Sequence, residues 1–106
     1  MYNNIYVGWD SREDIAYQVC EHSIRRRSKE YDGDVIPLKQ DSLREQKLYW
    51  RDKDKLSSTE FTLTRFLVPH INEYNGWAVF CDCDMVWQIN PRDLFRLKDD
   101  SKAVMV

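Results

Sequence analysis

The chain has 106 residues, a formal net charge of -2 and three cysteines. Hydrophobic residues make up 42% and charged residues 32%, the balance of a soluble globular domain. The acidic balance argues against a general nucleic-acid binder. The mean hydropathy of -0.69 and the lack of a long apolar run argue against a membrane-spanning helix. The length predicts a single domain over residues 1–106. The start, MYNNIYVGWD, has no basic segment followed by an apolar one, so no secretory signal is expected. Three cysteines are an odd number and make no disulfide framework, which favours a reducing, cytoplasmic setting.

The apolar, partly β-branched run Ile5–Trp9 predicts a first strand. Ser11, followed three residues later by Asp14, is a capping-box pattern that opens a helix. Ile15, Ala16, Val19, Cys20 and Ile24 recur at helical spacing and predict its buried face, with His22 turned to solvent. The basic run Arg25–Arg27 falls at the end of this helix, where cations complement the macrodipole. Tyr31–Asp34 is a turn, and Val35–Leu38 a second strand. Pro37 donates no ladder hydrogen bond, which places that strand at an edge.

Residues 39–58 are mostly charged and read as a long loop, or as a short helix around Leu43–Leu48. Ser57, Ser58 and Thr59 offer N-cap chemistry for a helix through Leu67, which Pro69 should end or kink. His70, just beyond, reads as structural. Trp77–Cys81 is an uninterrupted apolar run, as in a strand buried on both faces. Asn90-Pro91 supplies an N-cap and a first-turn proline for a helix carrying Leu94, Phe95 and Leu97. Ala103–Val106 reads as a last strand. The alternation predicts an α/β fold with about four mostly parallel strands and flanking helices.

Asp82-Cys83-Asp84 closes the apolar third strand. Residues two apart on an extended chain share a side. The two carboxylates would then lie on the order of 7 Å apart along the strand. Ligands of α/β sheets bind beyond the carboxyl ends of the strands. Two acids there repel each other unless a hard divalent cation takes their oxygens, and such a cation also binds a diphosphate. The plain alternative is two solvated acids in a turn. Asp10-Ser11-Arg12 ends the first strand just before a helix and would lie on the same edge of the sheet. Cys81 and Cys83 lack the spacing of a zinc or redox pair and read as packing residues.

Taken together, Ile5–Arg12, Thr64–Pro69, Val79–Asp84 and Asp93–Phe95 resemble GT-A fold glycosyltransferases. The nearest set is the family 8-like enzymes, similar to lipopolysaccharide galactosyltransferases and glycogenin. The resemblance spans nearly all of this chain, but only the N-terminal, nucleotide-binding part of the family fold. It implies a UDP-sugar donor with Mn²⁺ or Mg²⁺, and an acceptor that the motifs do not identify. It places Gly8, Trp9, Asp10, Ser11, Arg12 and Cys83 at the nucleotide, with Asp10 toward the base. It places Arg65 and Asp82 at the donor sugar and diphosphate, and Asp82 and Asp84 at the metal. Arg65, Asp82 and Asp84 would then be the catalytic set. The alternative for Arg65 is an intramolecular ion pair, with Asp82 as its candidate partner.

Two functions follow from the resemblance. One is an enzyme that transfers the glycosyl group or hydrolyses the donor. The other is a module that binds UDP or UDP-sugar without turnover. A haloacid-dehalogenase-type phosphatase also carries Asp-x-Asp after a strand, but there the motif opens the domain. A fragment that folds only with a partner chain, through Leu48-Tyr49-Trp50, is the bland reading. The family sheet has a further strand between those matching Val79–Cys81 and Ala103–Val106. Without it, either self-association through an open edge or a shifted terminal strand is expected.

Overall fold

The computed structural model describes residues 3–51 and 59–106. It forms a small α/β domain around a three-stranded parallel sheet. Strand β1 (Ile5–Gly8) is central, between β2 (Val35–Leu38) and β3 (Val79–Cys81). Ile5 is level with both Val35 and Val79, and Val7 with Pro37 and Cys81. Pro37 thus sits on an edge strand, where its missing N–H leaves no ladder bond unmade. The helices are α1 (Asp14–Arg26), α2 (Gln40–Glu45), α3 (Val68–Ile71) and α4 (Pro91–Phe95), with 3-10 turns at Ser11–Glu13 and Thr64–Leu67. Among the described residues no helix is long and apolar enough to cross a membrane.

All four β1 residues are buried, because strands flank both edges and helices cover both faces. The period-two alternation sends Ile5 and Val7 to one face and Tyr6 to the other. On the first face they meet Tyr17, Cys20 and Ile24 of α1, with Phe61 and Phe95. On the second, Tyr6 meets Leu38 and Val68. Its hydroxyl donates to Asn72 Oδ1 at 2.9 Å, which ties the end of α3 to the central strand. Each buried aliphatic side chain contributes roughly 1.5–3 kcal/mol.

Several expectations need correction. The last apolar run, Ala103–Val106, forms no strand; Val104 and Val106 are well exposed, and the described sheet has three strands rather than about four. The outer edge of β3 is unpaired among the described residues, and this run does not add a strand to it. As an edge strand β3 is only half-buried, although its side chains pack against the clusters on both faces of the sheet. Ile15 and Val19 of α1 are exposed at 73% and 50%. They lie one residue step, about 100°, from the Ala16 and Cys20 arc that faces the sheet. The sheet is too narrow to cover so wide a stripe. The cap of the Ser11–Glu13 turn is Asp10, not Ser11.

Residues 57 and 58 of the expected N-cap lie outside the described residues. Beyond them only the 3-10 turn Thr64–Leu67 and the single turn of α3 form, so the helix is shorter than expected. Pro69 falls in the first turn of α3, where its missing N–H is tolerated, and so starts a helix rather than ending one. Asn90 caps α4 as expected, its Oδ1 accepting the Arg92 N–H at 3.0 Å.

Gly8 is level with Leu38 at the end of β1, under the ring of Phe61. A Cβ there would stand 2.5 Å from two ring carbons. Gly8→Ala is therefore expected to destabilise the domain by about 1–3 kcal/mol. A lowered thermal midpoint checks this, and an unchanged one would show that the ring moves aside.

Candidate functional site

Parallel pairing brings the carboxyl ends of β1 and β3 to one edge of the sheet. Because Val7 is level with Cys81, the turn from Gly8 to Arg12 stands beside Asp82, Cys83 and Asp84. The 3-10 turn Thr64–Leu67 brings Arg65 to the same place, with its guanidinium 3.7 Å from Asp82. The residues singled out in three separate stretches of sequence thus converge on one edge.

The β1 side of this edge is rigid. The Asp10 carboxylate is fully buried and accepts four hydrogen bonds. Three come from Arg12: its backbone N–H at 2.9 Å, Nε at 3.0 Å and Nη2 at 2.7 Å. The fourth is the Glu60 backbone N–H at 3.0 Å. The Arg12 guanidinium holds the Asp10 carboxyl far below the usual carboxylate range, with further lowering by both backbone N–H groups; burial acts the other way. Glu60 answers in return. Its carboxylate accepts the Ser11 hydroxyl at 2.5 Å and the Ser11 backbone N–H at 3.2 Å. Trp9 donates its indole N–H to Asp14 at 2.9 Å, and the Lys39 ammonium lies 4.9 Å over its ring. The indole bond pulls the Asp14 carboxyl below its ordinary value. Asp10 therefore serves first as the anchor of the turn.

The β3 side is looser. Asp84 is exposed, and the Asp82 side chain is 41% exposed. Arg65 rests on two aromatic rings, 5.6 Å from the centroid of Phe61 and 5.0 Å from that of Phe80. Its Nε donates to the Phe61 carbonyl at 3.3 Å. The Arg65–Asp82 ion pair weighed from sequence is present. At this exposure such a pair contributes less than about 1 kcal/mol, so an anionic ligand can exchange for it. The four-bond anchor of Asp10 is not exchanged so readily. Among the described residues no three His, Cys, Asp or Glu side chains converge as a metal cage. The acidic pair offers two carboxylates, which by themselves do not fill the six or more positions around a hard cation.

All three cysteines lie beneath this edge. Cys20 and Cys83 are fully buried and Cys81 half-buried, as packing residues should be. The Cys83 thiol donates to Glu13 at 3.6 Å, and its backbone rather than its side chain is presented to the edge. Burial, and then the Glu13 carboxylate, push that thiol up to about 11. The neighbouring Cys81 sulfur, and then burial, raise the Cys20 thiol, whereas Cys20 lowers that of Cys81.

Glu60 and Phe61 were not legible as site residues. Glu60 is 50 positions from Asp10 and carries no motif of its own; only folding shows that it grips the first turn. Asp10→Asn is expected to cost about 1–2 kcal/mol by weakening the cap and the Arg12 pairing. Because the folded value lies below the unfolded one near ~3.9, the Asp10 contribution is complete above that pH. It is lost as pH falls through the folded value. Acid titration of stability should thus be steeper in the parent than in Asp10→Asn, and equal slopes would refute the anchor.

Over 101 residues, 95% of the chain, the sequence is 48% identical to Protein CDI of Arabidopsis thaliana. The chain spans 39% of that protein's length. No protein-family model matches the chain. No solved structure matches it.

Proposed function

We propose that this chain is a GT-A-like, nucleotide-sugar-binding domain of the family 8-like glycosyltransferase type, and that its ligand is a UDP-sugar held with Mn²⁺ or Mg²⁺. The observation that carries the reading is the meeting of Arg65 with Asp82 at the edge where the Asp10–Arg12 turn also ends. A diphosphate needs cationic donors on one side and a cation between itself and any carboxylate on the other. Arg65 supplies the first, and Asp82 with Asp84 the seat for the second. Gly8, Trp9, Ser11, Arg12 and the Cys83 backbone form the wall toward the nucleoside. Asp10 meets the base only by giving up part of its grip on Arg12, so its first task is to shape that wall.

A bound divalent cation would neutralise the diphosphate and stabilise the charge on departing UDP. The protein's own part is electrostatic. Arg65, held flat over Phe61 and Phe80, is aimed before the reaction and need not reorganise as negative charge develops on the leaving group. When the diphosphate takes Arg65, Asp82 is released toward the cation and the sugar. The acceptor is of unstated identity. A module that binds without turnover is the second reading. Release of UDP from UDP-glucose or UDP-galactose separates the two.

A cytoplasmic setting and self-association belong to the same proposal. An apolar groove of about 200 Å³ runs beside the open edge of β3, lined by Trp77, Val79, Leu94, Phe95 and Val106. A second copy would cover it. Light scattering after size exclusion is expected to show a dimer; a monomer at every concentration would exclude that contact.

Calorimetric titration with UDP is expected to show binding that depends on Mn²⁺. Arg65→Ala should weaken it roughly tenfold or more, since a charge-assisted hydrogen bond contributes ~1.5–3 kcal/mol. Asp84→Ala should abolish the metal dependence. Metal-independent binding, or no binding, would sink the assignment.

A further inference from the structure

We propose that α1 and residues 85–89 form one face that docks on an anionic lipid surface, lying on it rather than crossing it. That face combines aliphatic side chains left in water with a cluster of cations at the end of α1. Ile15 and Val19 are 73% and 50% exposed, and Met85, Val86 and Ile89 are each at least 45% exposed. Arg25, Arg26, Arg27 and Lys29 put four cations within five positions of a chain whose net charge is -2.

Helix geometry and three hydrogen bonds place these groups together. Ile15, Val19, Ser23 and the cap residue Arg27 follow at intervals of four and form one row along α1. The first half of that row, Ile15 and Val19, is apolar and bare. The second half grips Trp87. Its N–H donates to Ser23 Oγ at 2.9 Å, and its carbonyl accepts from Arg27 Nε at 2.7 Å. Asn90 Nδ2 then donates to the Lys29 carbonyl at 2.8 Å. The chain that leaves the end of β3 therefore runs beside α1 down to Lys29, with Val86 just ahead of the residue that meets the row. Arg26 lies seven positions from Val19, two helical turns along the same side. The opposite side of α1, with Tyr17, Cys20 and Ile24, packs on the sheet, so docking needs no unfolding.

The chemistry of the face fits a headgroup layer. Aliphatic side chains that project from a helix enter a bilayer just below its headgroups, while cations beside them stay at the level of the phosphates. Arg26 and Lys29 have no ion pair among the described residues, and Arg25 has only an exposed contact with Glu21 at 3.5 Å. These cations are open to anionic headgroups, whereas Arg27 is held by Trp87. Basic clusters of this kind are drawn to anionic leaflets. Neither half of the face suffices by itself. A few half-exposed aliphatic residues bind neutral lipid weakly, and exposed cations are screened by salt. Together they give a reversible attachment to one surface.

The experiment is co-sedimentation of the full chain with vesicles of equal parts phosphatidylserine and phosphatidylcholine, against vesicles of phosphatidylcholine alone. The expected result is binding to the mixed vesicles only, released by added salt. Arg26→Glu combined with Lys29→Glu should weaken that binding by about tenfold or more, because attraction is both lost and reversed. Ile15→Gln combined with Val19→Gln should weaken it by about fivefold or more, because less apolar area leaves water. All four side chains are exposed, so both variants are expected to fold as the parent does. No sedimentation with the mixed vesicles, equal binding to phosphatidylcholine alone, or binding at the parent's level by either variant would overturn the proposal. A shift of the Ile15→Gln, Val19→Gln variant from dimer to monomer on size exclusion would also overturn it, since a second copy would then be the occupant of this face.

Discussion

β1 is paired along both edges and covered on both faces, and its four residues are buried. Removing such a strand from water also removes the alternative partners of its backbone, so its N–H and C=O groups must be met by β2 and β3. That requirement places a strand along each edge of β1; here the order is β2-β1-β3 and both neighbours run parallel to it. The candidate site is a consequence. Parallel strands put their carboxyl ends on one edge, so the Asp10 turn and the Asp82–Asp84 turn become neighbours although 72 positions separate Asp10 from Asp82.

Two kinds of electrostatic contact then divide the edge. Asp10 is buried, with its carboxylate filled by Arg12 and the Glu60 backbone, and it behaves as part of the scaffold. Asp82 and Arg65 are half-exposed and joined at 3.7 Å, a contact water and ligands can replace. The magnitudes differ enough to assign the roles. The strong contact preserves the shape of the Asp10 turn, and the weak one stays available for exchange. The aromatic rings of Phe61 and Phe80 keep Arg65 in place while its ion-pair partner changes.

Much of this fold was legible in local pattern. β1 and β2, α1, the Asn90-Pro91 start of α4 and the edge position of Pro37 all follow from residues close in sequence. The failures share one cause. Ile15 and Val19 have helical spacing with Cys20, yet they are exposed because the sheet under α1 has only three strands. Ala103–Val106 has strand composition, but it does not pair with the open edge of β3. Pro69 breaks a helix only when it falls inside one, and the local turn placed it at a start. In each case local spacing and composition left out the tertiary surroundings that decided the outcome.

For the site, the sequence by itself determined the chemistry available: carboxylates after an apolar strand, a polar turn before a helix, an arginine on an aromatic-rich segment, and three cysteines without a metal-ligand spacing. Side-chain type and strand periodicity are local properties, and they are carried by the chain wherever it folds. Only the tertiary structure decided which groups meet. It turned Asp10 inward onto Arg12 and Glu60, laid Arg65 against Asp82, and packed Cys20 and Cys81 into one apolar cluster. These pairings depend on the register of β3 against β1 and on the side of the sheet that α1 covers. Both are set by the burial of the central strand, which no short stretch of residues contains.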